Sequence, residues 1–251
     1  MNDIILSILA HPDDAEFLCA GTLIRLVGEH GWQAHIASMT PGDCGSSELA
    51  AEEISRIRRG EGAKAAAQIG AAYHCLEERD LLVFYNERAL ERVTRLLREV
   101  RPRIVLTHSP ADYMLDHEVT STLARAAAFG APVPNFLRDR GHGPALECIP
   151  HLYYCDPIEG KDLLGRQVAA GFAIDISGVI DTKAAMLAAH ASQRDWLLKH
   201  HGMDQYVQAM RAWGSRCGKD RGVAYAEGFR QHLGHSYPQE NLLGDLLGTL
   251  G

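Results

Sequence analysis

The chain has 251 residues, 46% of them hydrophobic, which suits a single α/β domain over residues 1–251 with a substantial core. A formal net charge of −7 and the lack of any Lys/Arg-rich run exclude a nucleic-acid surface and favour a small-molecule partner. The apolar run near the amino terminus is too short for a signal peptide or membrane span, and Cys19, Cys44, Cys75, Cys148, Cys155 and Cys217 form no CxxC pair, so a reduced, cytoplasmic protein with neither a thiolate zinc site nor a disulfide framework is expected.

Ile4-Ile5-Leu6-Ser7-Ile8-Leu9 reads as a buried strand. It runs into Ala10-His11-Pro12-Asp13-Asp14-Ala15-Glu16, and Phe17 to Gly28 reads as the helix that follows. The motif therefore stands at the carboxyl end of a strand, where open α/β sheets bind ligands. A His and three acids so close together are not core packing, because buried charges need a partner or a metal. His11 and Asp14, three apart on a tight turn, can converge on one divalent ion and leave Asp13 free as a base. A catalytic zinc usually takes three protein ligands, so the third should come from another strand end. Trp32 to Thr40 reads as strand two, giving a right-handed parallel crossover. A dinucleotide-binding reading of that unit fails, since its first turn carries HPDDAE in place of closely spaced glycines.

Ser46 or Ser47 can cap a helix over about residues 48–68, which carries Arg58. Tyr73 to Leu76 reads as a third strand, Leu81 to Tyr85 as a short apolar segment, and Glu87 to Val100 as an amphipathic helix ended by Arg101-Pro102. Ile104-Val105-Leu106-Thr107 is a further strand. It leads through His108-Ser109-Pro110-Ala111-Asp112-Tyr113-Met114-Leu115-Asp116-His117 to a helix from Glu118 onward, a second strand-to-helix junction carrying His and Asp. Residues 130–150, rich in Pro and Gly, are expected to form an irregular lid or subunit contact. His151 to Cys155 and Phe172 to Ile176 read as later strands, Thr182 to His200 and Met203 to Ser215 as helices, and the tail from His235 as mixed. This alternation predicts a Rossmann-like α/β fold, a doubly wound and mostly parallel sheet flanked by helices.

AHPDDAE followed by Gly21-Thr22-Leu23, with Asp116-His117 downstream, resembles the zinc-dependent de-N-acetylases of the LmbE/PIG-L type. Arg58-x-x-Glu61, His190-Ala191-Ser192-Gln193 and Ala226-Glu227-Gly228-Phe229 resemble later segments of that family, so the likeness covers most of the chain. The resemblance implies removal of an acetyl group from an N-acetylglucosamine-containing or related small molecule. It implies zinc on His11, Asp14 and His117, Asp13 as general base, Arg58 on the substrate's sugar, and a trimer or hexamer. Such a donor set also accepts iron, cobalt or manganese. Many relatives read His-Pro-Asp-His where this chain reads Met114-Leu115-Asp116-His117. Met114 can neither stabilise an oxyanion nor protonate an amine, which leaves Tyr113 or a carboxyl-terminal His as the substitute donor. Two alternatives stay open: a hydrolase of a non-sugar N-acyl compound, and a metal-binding protein with little or no turnover.

Asp116 reads equally as a residue orienting a ligand or as a helix cap before Glu118. Asp112 and Tyr113 are expected to edge the pocket and bind substrate hydroxyls, with a turn after Pro110 as the plain alternative. His108 is expected to orient its loop, and His190, Ser192 and Gln193 to serve hydrogen bonding in the core.

Overall fold

In the computed structural model, which describes residues 3–137, 141, 143–193 and 205–251, the first strand β1 (Ile4–Leu9) is buried at all six positions. A strand buried on both faces belongs at the centre of a covered sheet. It pairs in parallel with β2 (Gln33–Ser38) on one side and β4 (Ile104–Thr107) on the other. β3 (Ala72–Cys75) lies outside β2, and β5 (His151–Cys155) outside β4, both parallel. Beyond β5 the direction reverses: β7 (Ala226–Gln231) runs antiparallel between β5 and β6 (Phe172–Asp175). The seven strands stand in the order β3-β2-β1-β4-β5-β7-β6, so the expected doubly wound, mostly parallel sheet is what forms.

The pleat divides the core. Ile5 and Leu9 of β1 join Ile104 and Leu106 on one face, while Ile4, Leu6 and Ile8 join Val105 on the other. The first face is covered by α1 (Asp14–Leu18), α2 (Ala20–His30), α6 (Ile180–Ala188), α7 (Gln205–Lys219) and α8 (Leu242–Leu247), with Ala65 and Ala66 of α3 (Ala51–Ala67). The second is covered by α4 (Glu87–Val100) and α5 (Leu115–Gly130). No described helix is long and apolar enough to cross a membrane.

Two helix boundaries need correction, and two further segments gain a structural reading. The helix read as Phe17 to Gly28 begins at Asp14, inside the motif, and breaks at Cys19 (φ −143°) before resuming as α2. The segment Ala226 to Phe229 is a strand: its mixture of small and charged residues hides this, because Glu227 is buried against backbone amides and a lysine instead of facing water. The helix read as Thr182 to His200 starts at Ile180 and its regular turns end at Ala188, while residues 194–200 of that span, with Met203 and Asp204 of the next, lie outside the described residues. The described part of 130–150 is irregular. Arg98 of α4 donates to the carbonyls of Ala131, Val133 and Phe136, and Leu146 is buried in the second-face core, which holds the segment against α4.

Candidate metal centre and active site

β1 and β4 are paired with Ile8 opposite Thr107, so the chain leaves both strands at the same end of the sheet. There the Ala10 N–H donates to Nε2 of His108 (2.9 Å). The motif then turns sharply. Asp13 adopts φ 110°, ψ −25°, a left-handed conformation that costs a non-glycine residue on the order of 1–3 kcal/mol. The turn is held by the His11 N–H on Asp14 Oδ2 (2.7 Å) and by the Phe17 N–H on the Asp13 carbonyl (3.0 Å).

Three donor atoms meet at this turn. Ligand atoms of His11, Asp14 and His117 all lie within 4.8 Å of one another. His11 Nδ1 is 3.4 Å and His117 Nε2 3.7 Å from Asp14 Oδ2. Each histidine commits its other nitrogen to a carboxylate: His11 Nε2 to Asp116 Oδ2 (3.2 Å), and His117 Nδ1 to Asp112 Oδ1 (2.9 Å). With an ion bound and protons on those outer nitrogens, both inner nitrogens would be lone-pair donors toward it beside Asp14, the arrangement of ring-orienting acids found around metal ions. The donor set and its setting fit a divalent ion.

The electrostatics agree. Burial works against a charged His11, yet hydrogen bonds to Asp116 and Asp14 outweigh it and push its pKa up to about 10. Burial likewise opposes an ionised Asp14, and its neighbours His117, His108 and His11 hold it well below the usual carboxylate range. The centre thus stabilises positive charge at the point where the ligand atoms converge. His108 is different: burial and the neighbouring His117 push it down to about 4, its Nε2 accepts the Ala10 N–H and stands 3.1 Å from Asp14 Oδ2, and it stacks on His117 as a neutral ring (centroids 3.8 Å apart) within a second possible donor group of His108, Asp112 and His117.

Asp13 stands beside this cluster. Both of its described donors reach Oδ2, Arg58 Nη2 at 3.0 Å and the Tyr206 hydroxyl at 2.5 Å. Burial raises the Asp13 pKa, and the Arg58 charge partly opposes it. Tyr206 is pushed well above the ordinary phenol value by burial and by Asp13, so it is a neutral donor. It was missed in the sequence for a plain reason: it sits on α7, 193 residues from its partner, with no motif around it.

Arg58, expected on the substrate, is 4% exposed and bound to Asp13, to the Pro12 carbonyl (2.7 Å) and to the Gly42 carbonyl (3.5 Å). It clamps the motif, and a Cβ at Gly42 would come within 2.3 Å of its guanidinium. Asp112 also departs from expectation. It is 1% exposed and orients His117, so it does not edge the pocket. Tyr113 is at the rim, 54% exposed, with its ring edge-on to His117. Asp116 touches His11 and accepts the Leu81 N–H (2.7 Å). Of the later motif, Ser192 binds Glu61 and Gln193 binds the Gly45 carbonyl at the pocket wall, while His190 is buried with Glu16 3.4 Å away.

The pocket above these groups holds about 420 Å³ and is lined by His11, Asp13, Asp14, Arg58, Asp80, Tyr113, Met114, His117 and Tyr206 among others. A larger cavity of about 530 Å³ lies by Arg101, Arg103 and His151, at the opposite end of β4 and β5. Its size is not matched by chemistry: Arg103 pairs with Asp3 and His151 with Glu240, and no ligand set converges there among the described residues.

Residues 6–128 match the family model described as PIG-L: GlcNAc-PI de-N-acetylase. The chain is 27% identical to a 4-oxalmesaconate hydratase of Pseudomonas putida, covering 84% of this chain and 82% of that protein. It is 26% identical to a 1D-myo-inositol 2-acetamido-2-deoxy-alpha-D-glucopyranoside deacetylase of Rhodococcus erythropolis, covering 75% and 80%. The fold superposes on N,N'-diacetylchitobiose deacetylase from Pyrococcus horikoshii with a TM-score of 0.76 at 24% identity, over 96% of this chain and 88% of that one. The matched residues hold most of β1, the HPDDAE turn, β4 and His117, and over this stretch the chain belongs to the PIG-L (LmbE) family.

Proposed function

We propose that this protein is a divalent-metal-dependent hydrolase that removes an acetyl group from an N-acetylated amino sugar or its conjugate. The observation that carries the reading is the convergence of His11, Asp14 and His117 beside a carboxylate oxygen of Asp13 that no donor among the described residues holds. Pure ion binding has no use for that second acid. The PIG-L family description and the two deacetylases among the relatives support the reaction class.

A divalent ion held by the three ligands supplies Lewis acidity toward water and the amide carbonyl. Asp13 takes the proton of the attacking water at Oδ1, since Arg58 and Tyr206 hold Oδ2. Those two donors fix the carboxylate's angle. As the C–N bond breaks, the same proton passes from Asp13 to the amine nitrogen, and the free amine leaves with acetic acid, which gives its remaining proton to solvent as acetate. Met114 lines the pocket where many relatives place a His, so Tyr113 at the rim is the side chain offered as the second donor to the developing oxyanion.

A hydratase reading, raised by the Pseudomonas relative, is less well served by the pocket. Arg58 is the one Arg or Lys among the described lining residues, and it is bound to Asp13. A neutral, hydroxylated substrate suits such walls better than one bearing several carboxylates. The test is acetate release from a panel of N-acetylglucosamine conjugates and non-sugar N-acetyl amides by zinc-loaded protein, with Asp13→Asn alongside. Release from sugars that falls about 10²- to 10⁴-fold in the variant supports the reading. Release from non-sugar amides alone would replace the sugar, and no release with zinc bound would refute the reaction.

A further inference from the structure

We propose that Asp43, Cys44 and Asp80 form a second cation site, separate from the His11–Asp14–His117 centre, that takes a thiophilic divalent ion on the Cys44 sulfur and one oxygen of each carboxylate. The three ligand atoms lie within 4.8 Å of one another. Ligands ~2.0–2.3 Å from a shared tetrahedral ion stand about 3.3–3.8 Å apart, so side-chain adjustment within this limit closes the site. None of these residues belongs to the first centre, and the site stands whether or not the proposed reaction is right.

The loop after β2 and the loop after β3 are tied together here. Asp43 Oδ1 accepts the Asp80 N–H (2.7 Å), and the Cys44 N–H donates to Asp80 Oδ2 (3.0 Å). Arg79 Nε, 3.3 Å away, holds the other Asp43 oxygen. The acids are therefore preset and not a loose surface cluster.

The observation that points to a ligand is the remaining oxygen of Asp80. This residue is 7% exposed, and its Oδ1 is sealed from solvent with no hydrogen-bond donor among the described residues. A carboxylate oxygen with neither water nor donor is costly, and a cation is the partner that answers it. Cys44 is exposed, which gives an ion a way in. On binding, the thiol releases its proton to solvent and the sulfur donates a lone pair to the ion, with no change of oxidation state. Sulfur in the set selects zinc or cadmium over magnesium or calcium. The lack of a CxxC spacing hid the site in the sequence, because its acid partner lies 36 residues beyond the cysteine. Cys44 and Asp80 also line the active-site pocket, so an ion here would place positive charge on its wall.

The experiment is a cadmium titration of chelator-stripped protein, followed by ultraviolet cadmium–thiolate absorption. The first centre has no sulfur and is silent in this readout. The wild type should show a band that saturates at one thiolate-bound ion per chain. Cys44→Ser should abolish it, and Asp80→Asn should weaken it about tenfold or more, with unchanged circular dichroism. Should Asp80→Asn fail to fold, Asp43→Asn carries the same expectation. No band, a band that survives in Cys44→Ser, or an affinity unchanged by loss of the carboxylate would overturn the proposal. Acetate release is not read here, so its failure leaves this test standing.

Discussion

The Asp112 carboxylate lies 2.9 Å from Nδ1 of His117, and the two side chains are 1% and 2% exposed. This bond sets which His117 nitrogen carries the proton and so which one faces Asp14. Asp112→Asn should lower affinity for a divalent ion about 10- to 100-fold, read by competition with a chromophoric chelator. At saturating ion the KM for a sugar substrate should stay near wild type. A raised KM with unchanged ion affinity would return Asp112 to the substrate.

Tyr206 donates to Asp13 at 2.5 Å from a helix late in the chain. Tyr206→Phe keeps the ring that packs near Phe17 and removes only the hydroxyl. We expect kcat to fall about tenfold, roughly the ~1.4 kcal/mol of one hydrogen bond to a charged group, with ion content unchanged. Steady-state kinetics with metal analysis of the same sample checks both halves.

Glu227 accepts from the Gly21 and Thr22 amides, the Thr22 hydroxyl and Lys183 Nζ, which is 2.6 Å away with both side chains 2% exposed. It anchors the start of α2 to β7. Glu227→Leu would strand a buried Lys183 and should cost about 3–5 kcal/mol in a denaturant melt. Replacing both residues by apolar ones should recover much of that loss.

Burial pushes the Asp156 carboxyl up to about 6, against the charges of Arg230 and Arg221. A folded-state pKa above the unfolded value means that the folded state holds the proton more tightly. That stabilisation is full below about pH 3.8 and is lost as pH rises through about 6. Asp156→Asn, neutral throughout, should match the wild type near pH 4 and exceed it by about 2 kcal/mol above pH 7. Melts at three pH values test this, and a difference that does not grow with pH contradicts it.

The first half of the molecule was legible because its signals are local. Apolar runs such as Ile4 to Leu9 mark central strands, and HPDDAE concentrates charge where packing has no use for it. The pairing of the two strand-to-helix junctions then followed from the parallel order around β1. What stayed hidden depends on distant partners. The family resemblance puts Arg58 on the substrate's sugar, and only the fold shows Asp13, 45 residues away, holding it. Asp112 looked like a turn residue, and only the fold of the loop onto α5 shows it beneath His117. β7 was unreadable because Glu227, the least strand-like residue in it, is charged for a partner on another helix.

The most direct test of the account is acetate release from an N-acetylglucosamine conjugate by chelator-stripped protein as zinc is added back, with His117→Ala alongside. We predict negligible release without the ion, recovery that levels off near one equivalent per chain, and no recovery in the variant. Undiminished release from the stripped protein, or equal recovery in His117→Ala, would contradict a reaction built on His11, Asp14 and His117.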